Sequence, residues 1–249
     1  MSEGAAPVLL IAGGSGSIGA EIARQAIDAG WTVALHGRRR EAIDAALAQL
    51  GGAHSGHRCD FTEGDAVEAL VAEVAAHHGR IDAVIDCTTG GAGGIAGPFA
   101  GTDPGAYADF AAQSVVVFQR LAHAALPWLS RRGGTLIGFI SDAGVFAAPR
   151  QTMIGAMRAA TIGFVRNLAV EVARDGVRVH AISPSYVDGT AIARRLEAAS
   201  AERMASARAR AGLGLPTPAD IAPLALFLCG PGAARITGQV LSINGGVNA

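Results

Sequence analysis

The sequence has no lysine at all. Its 20 cationic residues are all arginine, set against 21 acidic ones for a formal net charge of −1. Its densest basic cluster is Arg38–Arg39–Arg40, so a nucleic-acid partner or an acidic membrane surface is not expected. Aromatics are scarce, at 5% of residues. The three cysteines, Cys59, Cys87 and Cys229, stand far apart with no Cys-x-x-Cys and no Cys/His ligand spacing, so neither a disulfide framework nor a metal centre is expected. They read as reduced thiols of an intracellular protein. No basic segment precedes the short apolar run near the N-terminus, and no run is long enough to span a membrane; cytoplasm is the expected location. What is abundant is alanine and glycine, in a chain of 249 residues of which half are hydrophobic. That composition supports a sizeable core with tight helix-on-sheet packing.

Short apolar runs alternate with helical patterns from end to end, without repeat or linker. Val8–Ala12, Thr32–Leu35, Ile81–Asp86, Thr135–Ile140, Val177–Ser183 and Gln239–Ile243 read as buried strands, with a short one ending at Asp60. Ile18–Ala29, Arg40–Leu50, Asp65–His78, Tyr107–Leu129, Thr152–Arg174 and Ala219–Cys229 carry apolar residues at helical spacing. Alternation of this kind predicts an α/β fold in one domain, a Rossmann-type doubly wound parallel sheet with helices on both faces. Two longer connections, Thr88–Gly105 and the mostly helical Asp188–Pro216, follow the carboxyl ends of strands, where open α/β sheets bind ligands. A solvated helical pair is the alternative for the second.

Between the first strand and first helix, Gly14, Gly16 and Gly19 match G-x-G-x-x-G. Glycine allows a tight turn and close backbone approach, and the helix N-terminus offers free N–H groups to a pyrophosphate. The second strand exits as His-Gly-Arg-Arg-Arg. Gly37 stands where an NAD site usually has an acid for the ribose hydroxyls, and Arg38 follows. A guanidinium suits a 2′-phosphate, so NADP(H) is favoured over NAD(H). A solvated helix start is the other reading of these arginines.

From about Val8 to Gly246 the chain resembles the short-chain dehydrogenase/reductase family. "AGGSGSIG" resembles its T-G-x-x-x-G-x-G loop, with Gly13 and Gly19 in place. "CDFTEGDAV" resembles the segment whose Asp contacts adenine, here Asp60. "GGTLIGFISDAG" resembles the stretch ending in the catalytic serine, here Ser141. "GVRVHAISPSYVDGT" resembles the strand and loop beside the nicotinamide, and "TPADIAPLALFLCGPGAARITGQVLSINGG" is similar to the C-terminal signature. The resemblance implies seven parallel strands, a nicotinamide dinucleotide, a small-molecule substrate and a homo-oligomer, dimer or tetramer. Gly13, Ser15, Ser17, Ile18, Gly19, Arg38, Asp60, Arg158 and Pro184 are the expected cofactor contacts.

Departures from the family pattern are equally informative. Ser17 sits at the middle glycine of the loop, "DCTT" (Asp86–Thr89) replaces N-N-A-G, Ser114 replaces a helix Asn that orders a relay water, His180 stands for an Asn, and Ser185 for a Gly. The family's Y-x-x-x-K falls on Ile154 and Arg158. In the family, the tyrosine exchanges a proton with the substrate oxygen and the lysine lowers its pKa and holds the ribose. Arg158 keeps the charge but cannot shuttle protons, and Ile154 offers neither proton nor hydrogen bond. Ser141, Arg158, Asp142 and Tyr186 are the candidate catalytic residues, with Asp142, Tyr186 or water as proton source. The competing readings of Asp142 and Asp86 are a turn residue and a strand-end group. Tyr107 reads as a helix-start residue, and the strand histidines His36 and His180 as structural. Three functions stay open: an NADP(H)-dependent oxidoreductase with a degenerate site, an inactive dinucleotide-binding or oligomer-partner protein, and a non-redox isomerase or lyase using a pocket Asp.

Overall fold

A computed structural model describes residues 6–52, 54–88 and 93–248. Thr89, the last residue of the "DCTT" segment, lies outside the described residues. In chain order the elements are β1 (Val8–Ala12), α1 (Ser17–Asp28), β2 (Thr32–Gly37), α2 (Arg40–Leu50), β3 (Ser55–Arg58), α3 (Ala66–His78), β4 (Ala83–Asp86), α4 (Tyr107–Ala111), α5 (Val117–Leu129), β5 (Thr135–Phe139), α6 (Thr152–Glu171), β6 (Arg178–Ser183), α7 (Ala191–Ala199), α8 (Ala201–Arg210), α9 (Pro218–Cys229) and β7 (Val240–Ser242).

The seven strands form one sheet in the order β3-β2-β1-β4-β5-β6-β7. All pairings are parallel, with Leu10 opposite Ala34 on one side and Val84 on the other. The chain runs outward from β1 to β3, then returns to the other side of β1 at β4. The carboxyl ends of β1 and β4 therefore flank a topological switch point, the place where such sheets open a crevice. Strand side chains alternate between two cores. Val8, Leu10 and Ala12 pack toward α3, α5 and α6, whereas Leu9 and Ile11 pack toward α1 and α9. Gly138 in β5 makes room for Phe118 of α5; a Cβ there would lie 2.9 Å from the ring.

Local chemistry sets the helix ends. Thr217 and Asp220 form a reciprocal capping box at α9, with Pro218 in its first turn. Thr190 and Ser200 cap α7 and α8, so the 188–216 segment is two short helices rather than one. The predicted helix Tyr107–Leu129 is interrupted by a π-helical turn at Ala112–Val116. The predicted Thr152–Arg174 helix ends at Glu171 and closes in a tighter turn at Ala173–Asp175. Arg178 of β6 reaches across to donate to the carbonyls of Leu228, Cys229 and Ala233, satisfying acceptors at the end of α9. Among the described residues no helix is long and apolar enough to cross a membrane.

Three buried histidines lie inside this sheet, His57 in β3 among them. His36 in β2 is 2% exposed and His180 in β6 is fully buried. Burial pushes both down from 6.5 to about 4. The unfolded chain therefore takes up protons near pH 6.5 that the folded chain refuses until about pH 4. Stability is complete above the unfolded value and is lost as pH falls through this window. Because neither ring nitrogen of His180 makes a well-formed hydrogen bond, His180→Leu should reduce the dependence of the urea midpoint on pH between 6.5 and 4.5, the His36 contribution remaining, and leave the midpoint near wild type at pH 7.5.

Candidate functional site

The loop after β1 turns on glycine. Gly13 has φ +74°, in the left-handed region, and a Cβ there would lie 2.9 Å from the Cys87 backbone at the end of β4. At Gly19 a Cβ would lie 2.7 Å from the Gly13 carbonyl oxygen. The turn closes through Gly14 N–H to Ile11 O at 3.2 Å and Gly16 N–H to Gly13 O at 3.0 Å. Gly16 then leads into α1, whose N-terminus has no side-chain cap. Ser17 and Ile18 are the first residues of α1; Ser17 is exposed and borders a shallow groove of about 360 Å³ with Ala46, Thr217 and Pro218.

Beside the loop lies a cleft of about 210 Å³, lined by Gly13, Ser15, Gly16, His36, Gly37, Arg38, Asp60, Phe61, Thr62, Cys87, Thr88, Gln113 and Val117. It sits at the switch point and brings together four of the expected contacts: Gly13, Ser15, Arg38 and Asp60. Gly37 faces Ser15 so closely that a Cβ would come within 2.5 Å of Ser15 Oγ and 3.1 Å of Ile43. An acid at that position would have to displace both. Within the arginine cluster, Arg40 pairs with Asp44 at 3.0 Å, whereas Arg38 has no ion pair among the described residues. Asp60 Oδ1 accepts from Thr62 N–H and Oγ–H at 3.0 and 2.9 Å, an arrangement that lowers its pKa. Sequence reasoning set His36 aside as a structural strand histidine. Yet its ring lines this cleft, stacks on Phe61 at 4.2 Å and contacts Gly13. The available signal was its place one residue before the strand-end glycine.

The inner part of the site is built by α6 and the turn after β5. Ser141 is half-buried, and its hydroxyl accepts from Ala143 N–H at 3.4 Å. Gly144 admits Arg158, since a Cβ there would lie 2.5 Å from Arg158 Cβ. Ile154 and Arg158 lie one helical turn apart on α6. Arg158 Nη1 donates to the Ser114 carbonyl at 3.4 Å, and its buried Nε has no partner. That carbonyl belongs to the π-helical turn, where the Ser114 hydroxyl donates back to Phe110 O. Burial lowers the Arg158 pKa from 12.5, partly countered by the charge of Asp86. Asp86 is itself pushed up by burial, against hydrogen bonds from Thr88 at 2.6 and 2.9 Å. Gly97 N–H donates to Arg150 O at 2.8 Å, tying the loop after β4 to the turn after β5. Arg150, at φ 69°, is the one non-glycine residue with positive φ among those described.

Asp142 calls for a correction. Its carboxylate does not face the cleft and does not bond its own turn. Buried at 3% exposure, it accepts from Ser183 Oγ at 2.7 Å and Asn244 Nδ2 at 2.6 Å, with Ser242 Oγ and Asn248 Nδ2 at 3.3 and 3.2 Å. It fastens the C-terminal segment beneath the Ser141 turn, which leaves no free lone pair for a proton relay. Pro184 is buried at the end of β6 and Tyr186 is half-buried just beyond it. The Tyr107 hydroxyl is engaged by Thr102 at 2.5 Å, near its expected helix start. Among the described residues no group of His, Cys, Asp and Glu could hold a metal ion.

The site can be tested for fit to a dinucleotide on its own terms. It offers a cradle that any Cβ would fill, an uncapped helix start, an unpaired arginine at the outer end and a buried guanidinium with an orphaned N–H. These suit phosphates and ribose hydroxyls.

Comparison with known proteins agrees with this geometry. A family model described as enoyl-(acyl carrier protein) reductase matches residues 12–248. An inactive 2-(S)-hydroxypropyl-CoM dehydrogenase of Xanthobacter autotrophicus is 31% identical, over 92% of this chain and 100% of that protein. Among solved structures, the chain is similar to a 7α-hydroxysteroid dehydrogenase complexed with NADH and a 7-oxo bile acid, with a TM-score of 0.88, 28% identity, and 96% and 93% of the two chains covered. It is also similar to an actinorhodin polyketide ketoreductase with NADPH, with a TM-score of 0.87, 26% identity and 97% of each chain covered.

If Asp142 anchors the C-terminal segment, Asp142→Ala strands several buried donors. It should cost about 2–4 kcal/mol of unfolding free energy, read from urea denaturation. A change below about 0.5 kcal/mol would instead fit a surface side chain.

Proposed function

Since the chain belongs to the short-chain dehydrogenase/reductase family, we propose that it is an NADP(H)-dependent oxidoreductase of a small carbonyl or alcohol substrate, working without a side-chain phenol. One observation supports this most: Arg158 on α6 keeps an enclosed Nε–H without a partner, while its Nη1 donates to the Ser114 carbonyl. A guanidinium N–H left without an acceptor in the interior is costly. Ribose hydroxyls would relieve it.

In this reading the loop amides at Ser17–Gly19 bind the pyrophosphate, and Gly13 lets the backbone come close. Arg38 takes the 2′-phosphate, with Gly37 leaving no competing acid. Asp60 receives the adenine edge, Arg158 holds the nicotinamide ribose, and Pro184 backs the nicotinamide. The bound nicotinamide supplies or accepts the hydride. Ser141 donates to the substrate oxygen and holds it in place. The proton comes from water or from Tyr186, because Asp142 is fully engaged and Arg158 stays protonated under ordinary conditions. Removing a general acid typically costs about a hundred- to ten-thousand-fold in rate, so positioned hydride transfer survives in weakened form. The reading includes a cytoplasmic homo-oligomer. It is supported by three free thiols and by exposed apolar side chains such as Val170 and Phe227 on α6 and α9.

A second reading, a dinucleotide-binding protein without turnover, is favoured by Ile154 together with the full engagement of Asp142. Fluorescence titration and turnover separate the two. NADPH should bind more tightly than NADH, and Arg38→Ala should weaken NADPH by about tenfold while changing NADH little. Equal affinity for both cofactors would remove the NADP(H) assignment. Slow NADPH oxidation with some member of a carbonyl panel, abolished by Ser141→Ala, is expected of the enzyme; tight binding with none establishes the binding protein. The double change Ile154→Tyr with Arg158→Lys should raise carbonyl reduction by about a hundredfold. No gain would count against hydride chemistry at this site.

A further inference from the structure

We infer that His36 is a positioning residue of the dinucleotide cradle, fixing the first glycine of the loop in the shape that admits a pyrophosphate; this rests on the dinucleotide reading above. Three contacts define its role. Nδ1 lies 3.2 Å from the Gly13 amide nitrogen, Nε2 lies 3.1 Å from the Cys59 carbonyl oxygen, and the ring stacks on Phe61 at an interplanar angle of 17°. An amide N–H can only donate and a carbonyl can only accept. Nδ1 must therefore be the bare nitrogen and Nε2 must carry the proton, which settles the tautomer from the partners alone.

This one imidazole joins the ends of three strands. Gly13 follows β1, His36 is in β2, and Cys59 follows β3, whose chain is also held by Cys59 N–H to Gly37 O at 3.3 Å. Gly13 most needs an anchor. It sits at φ +74°, against the Cys87 backbone, where a glycine left to itself has other conformations open to it. The acceptor at Nδ1 holds the Gly13 amide against the His36 ring and fixes the peptide plane from which the rest of the loop turns. Protonation of the ring would replace that acceptor with a second donor. Burial resists this most, with His57 across the strand pair and Arg38 adding to the resistance and the Cys59 carbonyl and Asp60 opposing it.

A ring that merely filled volume would be replaceable by any aromatic of similar size. His36→Phe keeps bulk and stacking but loses the acceptor. In His36→Asn, Oδ1 falls close to the position of Nδ1 and can still receive the Gly13 amide. NADPH binding is measured by fluorescence on the full chain, alongside hydrogen exchange of the Gly13 amide by NMR and thermal melting. His36→Phe should bind NADPH about tenfold more weakly and lose Gly13 protection while still folded. His36→Asn should retain protection and bind within about threefold of wild type. Wild-type-like affinity in His36→Phe, or equal loss in both variants, overturns the inference alone. Absence of NADPH binding by the wild type overturns the dinucleotide reading and this inference with it.

Discussion

The close packing of the glycine loop at the end of β1 against its neighbours is the constraint on which the rest of the molecule depends. Gly13 touches the backbone after β4, Gly14 touches Leu35 in β2, and Gly19 in α1 touches the loop itself. Any side chain at these positions would push apart the two halves of the sheet at their switch point. With no side chains there, α1 starts close to the end of β1 without a side-chain cap, and His36 reaches the loop from the neighbouring strand. Binding geometry here follows from packing. The same contacts that close the core of the sheet shape the cradle.

Much of this was legible in the sequence because it is encoded locally. The central strands β1, β4 and β5 are largely apolar runs, as burial on both faces requires, whereas the edge strand β3 (Ser-Gly-His-Arg) is not, and each boundary lies within a few residues of its expected place. The glycine loop was legible for the same reason: its spacing is a local requirement of one turn. Features that depend on distant partners were not. Asp142 follows Ser141 and looked like a pocket carboxylate, but its four donors lie between 41 and 106 residues away along the chain. The π-helical turn in Tyr107–Leu129 leaves the apolar spacing almost unchanged; it is marked by the Ser114 hydroxyl and by the Arg158 contact from another helix. His36 was set aside for a similar reason, since nothing near it in sequence shows that its partners are Gly13 and Cys59.

The substitutions at the inner site make sense together more than singly. A lysine amine is a compact point charge that shares its surroundings with water, whereas a guanidinium is broad, planar and longer. Arg158 spans directly to the Ser114 carbonyl, the group beside which the family pattern places a relay water. Ser114, standing for the family's Asn, turns its short hydroxyl back on its own helix. Asp86, at the strand end, supplies negative charge near the arginine without forming a close ion pair. The result is a buried cation balanced at a distance and incompletely hydrogen-bonded. Structures keep such groups where a ligand completes them.

On the proposed oxidoreductase reading, losing the phenol changes which step limits the chemistry more than whether hydride can move. Hydride transfer depends on distance and orientation, which a rigid cradle and a substrate-holding serine can still supply. Proton transfer depends on a donor whose pKa suits the medium, and no described side chain between Ser141 and Arg158 provides one. In the proposed reading Ile154 stands where the donor would be, so the proton arrives through water or from Tyr186. A substrate whose oxygen tolerates negative charge, or whose reaction delivers the hydride before the proton is needed, is least affected by that exchange. On the proposed reading the arrangement favours reactions in which charge on oxygen is stabilised by Ser141 over those requiring simultaneous protonation.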